Sequence, residues 1–158
     1  PDHIAGIDQL INAYPEIPVW SPANESVPHS TVSLREGDTV SLPIQNISLS
    51  VLDVPAHTAG HIAYTGTLPS GQPILFSGDT LFSSGCGRLF EGTAEQMLTA
   101  MKKFSELPDN TLVYCTHEYT LSNLAFAMDV EPENIDIQQR TLEAVSYKNL
   151  TLPTKRIV

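Results

Sequence analysis

Asp2 and His3 stand side by side in PDHIAG, His57 lies in PAHTAGH, Asp79 in FSGDTLF and His117 in YCTHEYT. Each of the last three sits where an apolar, strand-like run gives way to a polar loop. Imidazoles and carboxylates released at strand ends can converge on one cleft. That is the ligand chemistry of hydrolytic metal sites, in which a cation activates water and polarises a carbonyl. Three such loops, each after an apolar run, are hard to obtain by chance.

Each residue also has a plainer reading. His57 follows VLDVPA and precedes the flexible TAG, so it can be a ligand or a loop residue bonded to backbone. His61 opens the next strand and reads as a residue that orients the loop rather than as a ligand. Asp79 ends the run PILFSG; a buried strand rarely ends in a carboxylate without a partner, because desolvating the charge is costly. A turn or helix cap is the alternative there, and an Asp can also bridge two cations. His117 can be a ligand or a hydrogen-bonded histidine at a helix end. His29, in a Pro-bearing loop, reads as solvent-exposed.

The elements that must position these groups follow from periodicity. Apolar residues at helical spacing mark 4–14, and Pro15 stops the run. A short strand is expected at 18–21, a polar loop at 21–30 and a strand at 46–54, with Ile47, Leu49, Val51 and Asp53 on one face. A hairpin follows: 61–68, a turn at Pro69-Ser70-Gly71-Gln72, then 74–76 returning to Gly78-Asp79. The stretch 83–92 is Gly-rich and irregular. Thr93 and Gln96 have the spacing of a capping box for a helix to about residue 107. A short buried strand at 112–115, a helix at 119–128 and a last helix reaching 147, with Pro132 in its first turn, complete the order. Mixed strands covered by helices indicate an α/β layered fold.

At 158 residues, with 41% hydrophobic and 16% charged residues, the chain is the size of one ordinary domain. No run approaches the roughly 18 apolar residues needed to cross a membrane. The net charge of -10, with eight Lys and Arg and no basic stripe, argues against nucleic acid as a partner. An anionic substrate meets long-range repulsion and needs a local cation or metal to hold it. Cys86 and Cys115 do not make a disulfide framework; both are expected as reduced, buried thiols in a cytosol or organelle matrix.

Together the motifs HTAGH at 57–61, GDTLF at 78–82, GCGRLFEGT at 85–93 and HEYTLSN at 117–123 resemble glyoxalase II, the hydroxyacylglutathione hydrolases of the metallo-β-lactamase superfamily. The resemblance covers nearly the whole chain. It implies the superfamily's αββα sandwich, with a catalytic domain over 1–130 and the start of a helical, substrate-binding domain over 131–158. Of the superfamily motif THxHxDH only the final Asp2-His3 is present, so the chain is expected to be a piece of an enzyme, without its N-terminal strands.

By the same resemblance, Asp2, His3 and His117 hold one divalent metal, His57 holds the other and Asp79 bridges both. Zinc is expected, with iron or manganese as alternatives. The implied reaction hydrolyses S-D-lactoylglutathione to D-lactate and glutathione through a hydroxide shared by the metals, with Asp79 keeping them in place. It needs no side-chain nucleophile, and the sequence has no Ser or Cys triad signature. Arg88 and Tyr119 match the residues that hold glutathione. Phe90 stands where many members have a tyrosine, which removes one hydroxyl contact. A monomeric, cytoplasmic enzyme acting on a small molecule, with no nucleic-acid or membrane partner, is the implied setting. The alternatives are a mononuclear iron persulfide dioxygenase of the same fold, against which HEYT and FEGT argue, and a non-catalytic fragment with a partial metal site.

Overall fold

The structure, a computed structural model, describes residues 3–147. Asp2 and the tail 148–158, to which the sequence assigns a ligand and part of a helical domain, lie outside the described residues. The elements in order are α1 (Ile7–Ala13), β1 (Trp20–Pro22), β2 (Val32–Leu34), β3 (Thr39–Leu42), β4 (Ile47–Asp53), β5 (Ile62–Thr67), β6 (Pro73–Gly78), β7 (Leu81–Phe82), β8 (Gly85–Cys86), α2 (Ala94–Ser105), β9 (Leu112–Cys115), α3 (Thr120–Val130) and α4 (Ile135–Tyr147).

Five strands form the central sheet in the order β3-β4-β5-β6-β9. The first three pairings are antiparallel and β6–β9 is parallel. A parallel pair needs a crossover connection, and here the chain between β6 and β9 runs through β7, β8 and α2. Side-chain alternation divides the sheet between two clusters. Leu49, Val51, Ile62 and Ile74 pack with Leu34 and Val40 on one face. Val54, Ala63 and Leu75 pack against Ala100 and Phe104 of α2 on the other. Ile74 and Leu75 are adjacent and both buried because β6 is covered on both faces.

The capping box of α2 forms as the spacing predicts: Thr93 Oγ1 accepts from Gln96 N, and Gln96 Oε1 accepts from Thr93 N at 2.8 Å. Other expectations are corrected. The first helix is shorter than 4–14, and none of its residues is buried. The expected strand at 18–21 forms at Trp20–Pro22, where it pairs in parallel with β2. β2 and β3, three and four residues long, are too short to leave a periodic signal. β9 is half-buried rather than buried, because among the described residues it is an edge strand paired to β6 alone. Pro132 precedes α4 instead of entering it: Asn134 Oδ1 accepts from Asp136 N at 3.1 Å and Ile137 N at 3.3 Å, and so caps that helix. Neither cysteine is buried; Cys86 is exposed on the two-residue β8, Cys115 is half-buried at the end of the edge strand, and both are free thiols.

Candidate metal centre

The sheet order decides where the candidate ligands go. β4 and β6 are each antiparallel to β5, so they run the same way, and β9 is parallel to β6. The C-terminal ends of β4, β6 and β9 therefore meet at one sheet edge. His57 follows β4, Asp79 follows β6 and His117 follows β9. β5 starts at that edge, which places His61 there too.

The end of β6 is shaped for this. The register with β9 shifts between Phe76 and Gly78, and the intervening Ser77 is fully buried with its hydroxyl on Leu81 O at 2.8 Å. Gly78 has φ +55, and a Cβ there would lie 2.5 Å from His61 Cε1. Only glycine meets both demands. The His61 ring so admitted accepts the Asp79 backbone N–H on Nε2 at 2.8 Å. This is the orienting role its position suggested. Burial pushes the His61 imidazole below its ordinary range, against the opposing pull of the Asp79 charge.

Asp79 is the centre of the site, 5% exposed. Its Oδ2 lies 2.7 Å from His3 Nε2 and 3.5 Å from His57 Nε2, and its Oδ1 lies 3.4 Å from His117 Nε2. Thr116 Oγ1 also donates to Oδ1. Ligand atoms of His3, Asp79 and His117 all fall within 4.8 Å of one another. The His3 and His117 rings meet edge to face, with centroids 5.6 Å apart. Asp79 thus acts neither as a helix cap nor as a lone loop acid.

His57 is held from behind. Its Nδ1 pairs with Arg88 O at 2.9 Å, which leaves Nε2 as the atom facing Asp79. Phe90 N donates to His57 O at 3.3 Å, and the Phe90 ring packs 4.9 Å from the imidazole. Gly87 N bonds Thr80 O at 3.1 Å, and the absent Cβ of Gly87 is what lets this loop close on the Asp79 backbone. The 57–61 loop is also gripped by two carboxylates. Glu25 accepts from Thr58 Oγ1 and from Gly60 N at 3.2 Å, and Glu91 accepts from Ala59 N at 2.7 Å.

Among the other expected residues, Arg88 is exposed, and its backbone rather than its side chain touches His57. Tyr119 is 49% exposed, its ring edge-on to Phe82 and 5.6 Å from that of His117. His29 is exposed, as expected, and pairs with Asp8 of α1 at 2.7 Å. Thr116, Glu25 and Glu91 were not among the sequence candidates. Thr116 neighbours a candidate histidine and Glu91 lies in the GCGRLFEGT stretch, both weak hints; Glu25 offered none.

The donor set suits a divalent cation: imidazole nitrogens around a carboxylate whose burial is costly unless a positive charge or strong donors offset it.

Comparison with known proteins agrees with the motifs. The family model described as Metallo-beta-lactamase superfamily matches residues 1–117, and that described as Hydroxyacylglutathione hydrolase C-terminus matches 118–157. A Hydroxyacylglutathione hydrolase from Nitrosomonas eutropha is 50% identical over 99% of this chain and 60% of its own length. The chain spans between 53% and 61% of the length of this and three similar curated relatives. Among solved structures, ETHE1 from Myxococcus xanthus superposes with a TM-score of 0.63 at 26% identity, over 99% of this chain and 68% of that one. TTHA1623, solved in a di-iron-bound form, gives 0.55 at 27% identity, over 74% of this chain and 65% of that one. The α/β layering, the loops gathered at one sheet edge and the match over residues 1–117 lead to one conclusion: this chain belongs to the metallo-β-lactamase superfamily.

Proposed function

We propose that this chain carries the site of a metal-dependent thioester hydrolase that converts S-D-lactoylglutathione to D-lactate and glutathione. One observation carries the reading: a buried carboxylate, Asp79, with three imidazoles set against its two oxygens. It supports this reaction in particular because the chain is 50% identical to a hydroxyacylglutathione hydrolase over nearly its whole length.

We assign His3 and His117, with Asp2, to one divalent cation, His57 to a second, and Asp79 to both. Three Nε2 atoms around one carboxylate support that count, as does the di-iron form of TTHA1623. Zinc is the proposed metal. When bound, a divalent metal supplies Lewis acidity, polarising a carbonyl oxygen and lowering the pKa of water to about 7.

The chain's own residues do the positioning. His61 fixes the Asp79 backbone, and Arg88 O sets the His57 tautomer. The Arg88 guanidinium, exposed beside this loop, suits a glutathione carboxylate and counters the net charge of -10. The Tyr119 hydroxyl is a second proposed contact. Phe90 has no hydroxyl to offer and instead shields the His57 ring. The proposed setting is a cytoplasmic monomer with no nucleic-acid or membrane partner; no helix among the described residues is long and apolar enough to cross a membrane.

The test is thiol release from S-D-lactoylglutathione by the full-length protein, with metal analysis on the same sample. The reading expects hydrolysis with close to two metals per chain, and more than about 100-fold weaker metal binding in Asp79→Asn. A preparation holding two metals that leaves the thioester intact removes the proposed reaction. One iron per chain turns the assignment toward the persulfide dioxygenase.

A further inference from the structure

Thr116 precedes His117, and its hydroxyl reaches the centre of the site: Oγ1 donates to Asp79 Oδ1 and lies 3.1 Å from Gly78 O. We propose that Thr116 is a positioning residue for the metal, setting the plane of the Asp79 carboxylate so that its remaining lone pairs face the imidazoles. The inference rests on the reading of Asp79 as a metal ligand and adds a residue to it.

The torsion that orients a carboxylate is broad and roughly two-fold, so packing alone does not fix its plane. His61 holds the Asp79 backbone, which leaves that torsion free. Among the described residues, the groups on the carboxylate oxygens are the Nε2 atoms of His3, His57 and His117 and the Thr116 hydroxyl. An imidazole that ligates a cation gives its lone pair to that cation and no longer serves the carboxylate. A neutral hydroxyl stays as donor. Each carboxylate oxygen has two lone-pair directions, so Oδ1 can accept from Thr116 and still serve a cation.

Two features make threonine apt. Its β-branch leaves few χ1 choices, so Oγ1 is placed at little entropic cost. Its single proton has Gly78 O as a second acceptor, so the hydroxyl is never stranded. The plainer role, a tie between the β9 loop and the end of β6, uses the Gly78 contact alone and predicts no effect on metal affinity.

Metal affinity of the full chain, measured by competition with a chromogenic zinc chelator, separates the two. Thr116→Val keeps the shape and removes the hydroxyl, Thr116→Ala removes it without the branch, and Thr116→Ser keeps it. The expected result is a 10–100-fold loss for Val and Ala, with Ser within about threefold of wild type. Far-UV circular dichroism confirms that each variant is folded. A Val variant that binds zinc as tightly as a binding-competent wild type overturns the inference, as does a Ser variant as weak as Val. A wild-type chain that binds no zinc removes the Asp79 reading itself, which is a separate and recognisable failure.

Discussion

His61 Nε2 accepts the backbone N–H of Asp79 at 2.8 Å, so a histidine that ligates nothing in the proposed scheme fixes the main chain beneath the central carboxylate. The contact spans the start of β5 and the end of β6, and it holds because Gly78 leaves room for the ring. His61→Leu strands the Asp79 N–H in a buried setting. Such a loss costs about 1–3 kcal/mol. Chemical denaturation of the variant is expected to show that drop, together with weaker zinc binding. A midpoint equal to wild type would show that the Asp79 N–H finds another partner.

Glu36 provides a pH signature away from the site. Burial raises its pKa, but hydrogen bonds from Lys103 and from the Asp53 backbone, with the Lys103 charge, outweigh burial and hold the carboxyl below its ordinary value of 4.5. The folded state therefore releases this proton more readily than the unfolded chain. The stabilisation is complete above pH 4.5 and is lost as pH falls through the lower folded value. Glu36→Gln should flatten that part of a stability-versus-pH curve, lowering stability above pH 4.5 while changing little once pH is well below the folded value. The pair is largely exposed, so its neutral-pH contribution is at most about 1 kcal/mol.

Gly87 is required by proximity rather than by its backbone angle. A Cβ there would overlap Asp79 O and approach His57 Nδ1 to 3.3 Å. Backbone has to move to admit it, at a cost of about 1–3 kcal/mol. Gly87→Ala is expected to lower the thermal midpoint and the zinc affinity together, since the shift falls on the loop behind His57. Crystals of the variant with the 87–90 loop unmoved would contradict this account.

The two carboxylates on the 57–61 loop should differ in weight. Glu25 is half-buried and serves two donors, whereas Glu91 is exposed and serves one. Removing Glu25 leaves partly buried donors unpaired, while Ala59 N can turn to water. Glu25→Ala is expected to cost about 1–3 kcal/mol, and Glu91→Ala less than about 1 kcal/mol. Paired urea titrations check the order, and a reversed order would show that the loop is gripped mainly from the Glu91 side.

Thr80 is fully buried and its Oγ1 has no hydrogen-bond partner among the described residues. Thr80→Val removes an uncompensated polar atom at nearly constant volume. Replacing such a group can be neutral or stabilising, here by up to about 1 kcal/mol. A calorimetric midpoint well below wild type would mean that the hydroxyl is hydrogen-bonded in solution.

The sequence by itself determined which residues could be ligands and which runs could be strands. His57, Asp79 and His117 were legible because each follows an apolar run, and β4, β5, β6 and α2 because their apolar residues or caps recur at spacings set by the local backbone. β2 and β3 were too short for any period to show. The tertiary structure decided the rest. That β4, β6 and β9 point the same way follows from the strand order, and only that order brings the three ligand loops to one edge. Thr116 bonds a residue 37 positions away, Glu25 one 33 away and Glu91 one 32 away. Local periodicity records which face a side chain occupies, not what stands opposite it. The candidate ligands were therefore written in the chain, while the groups that orient them became visible only once the sheet had brought distant loops together.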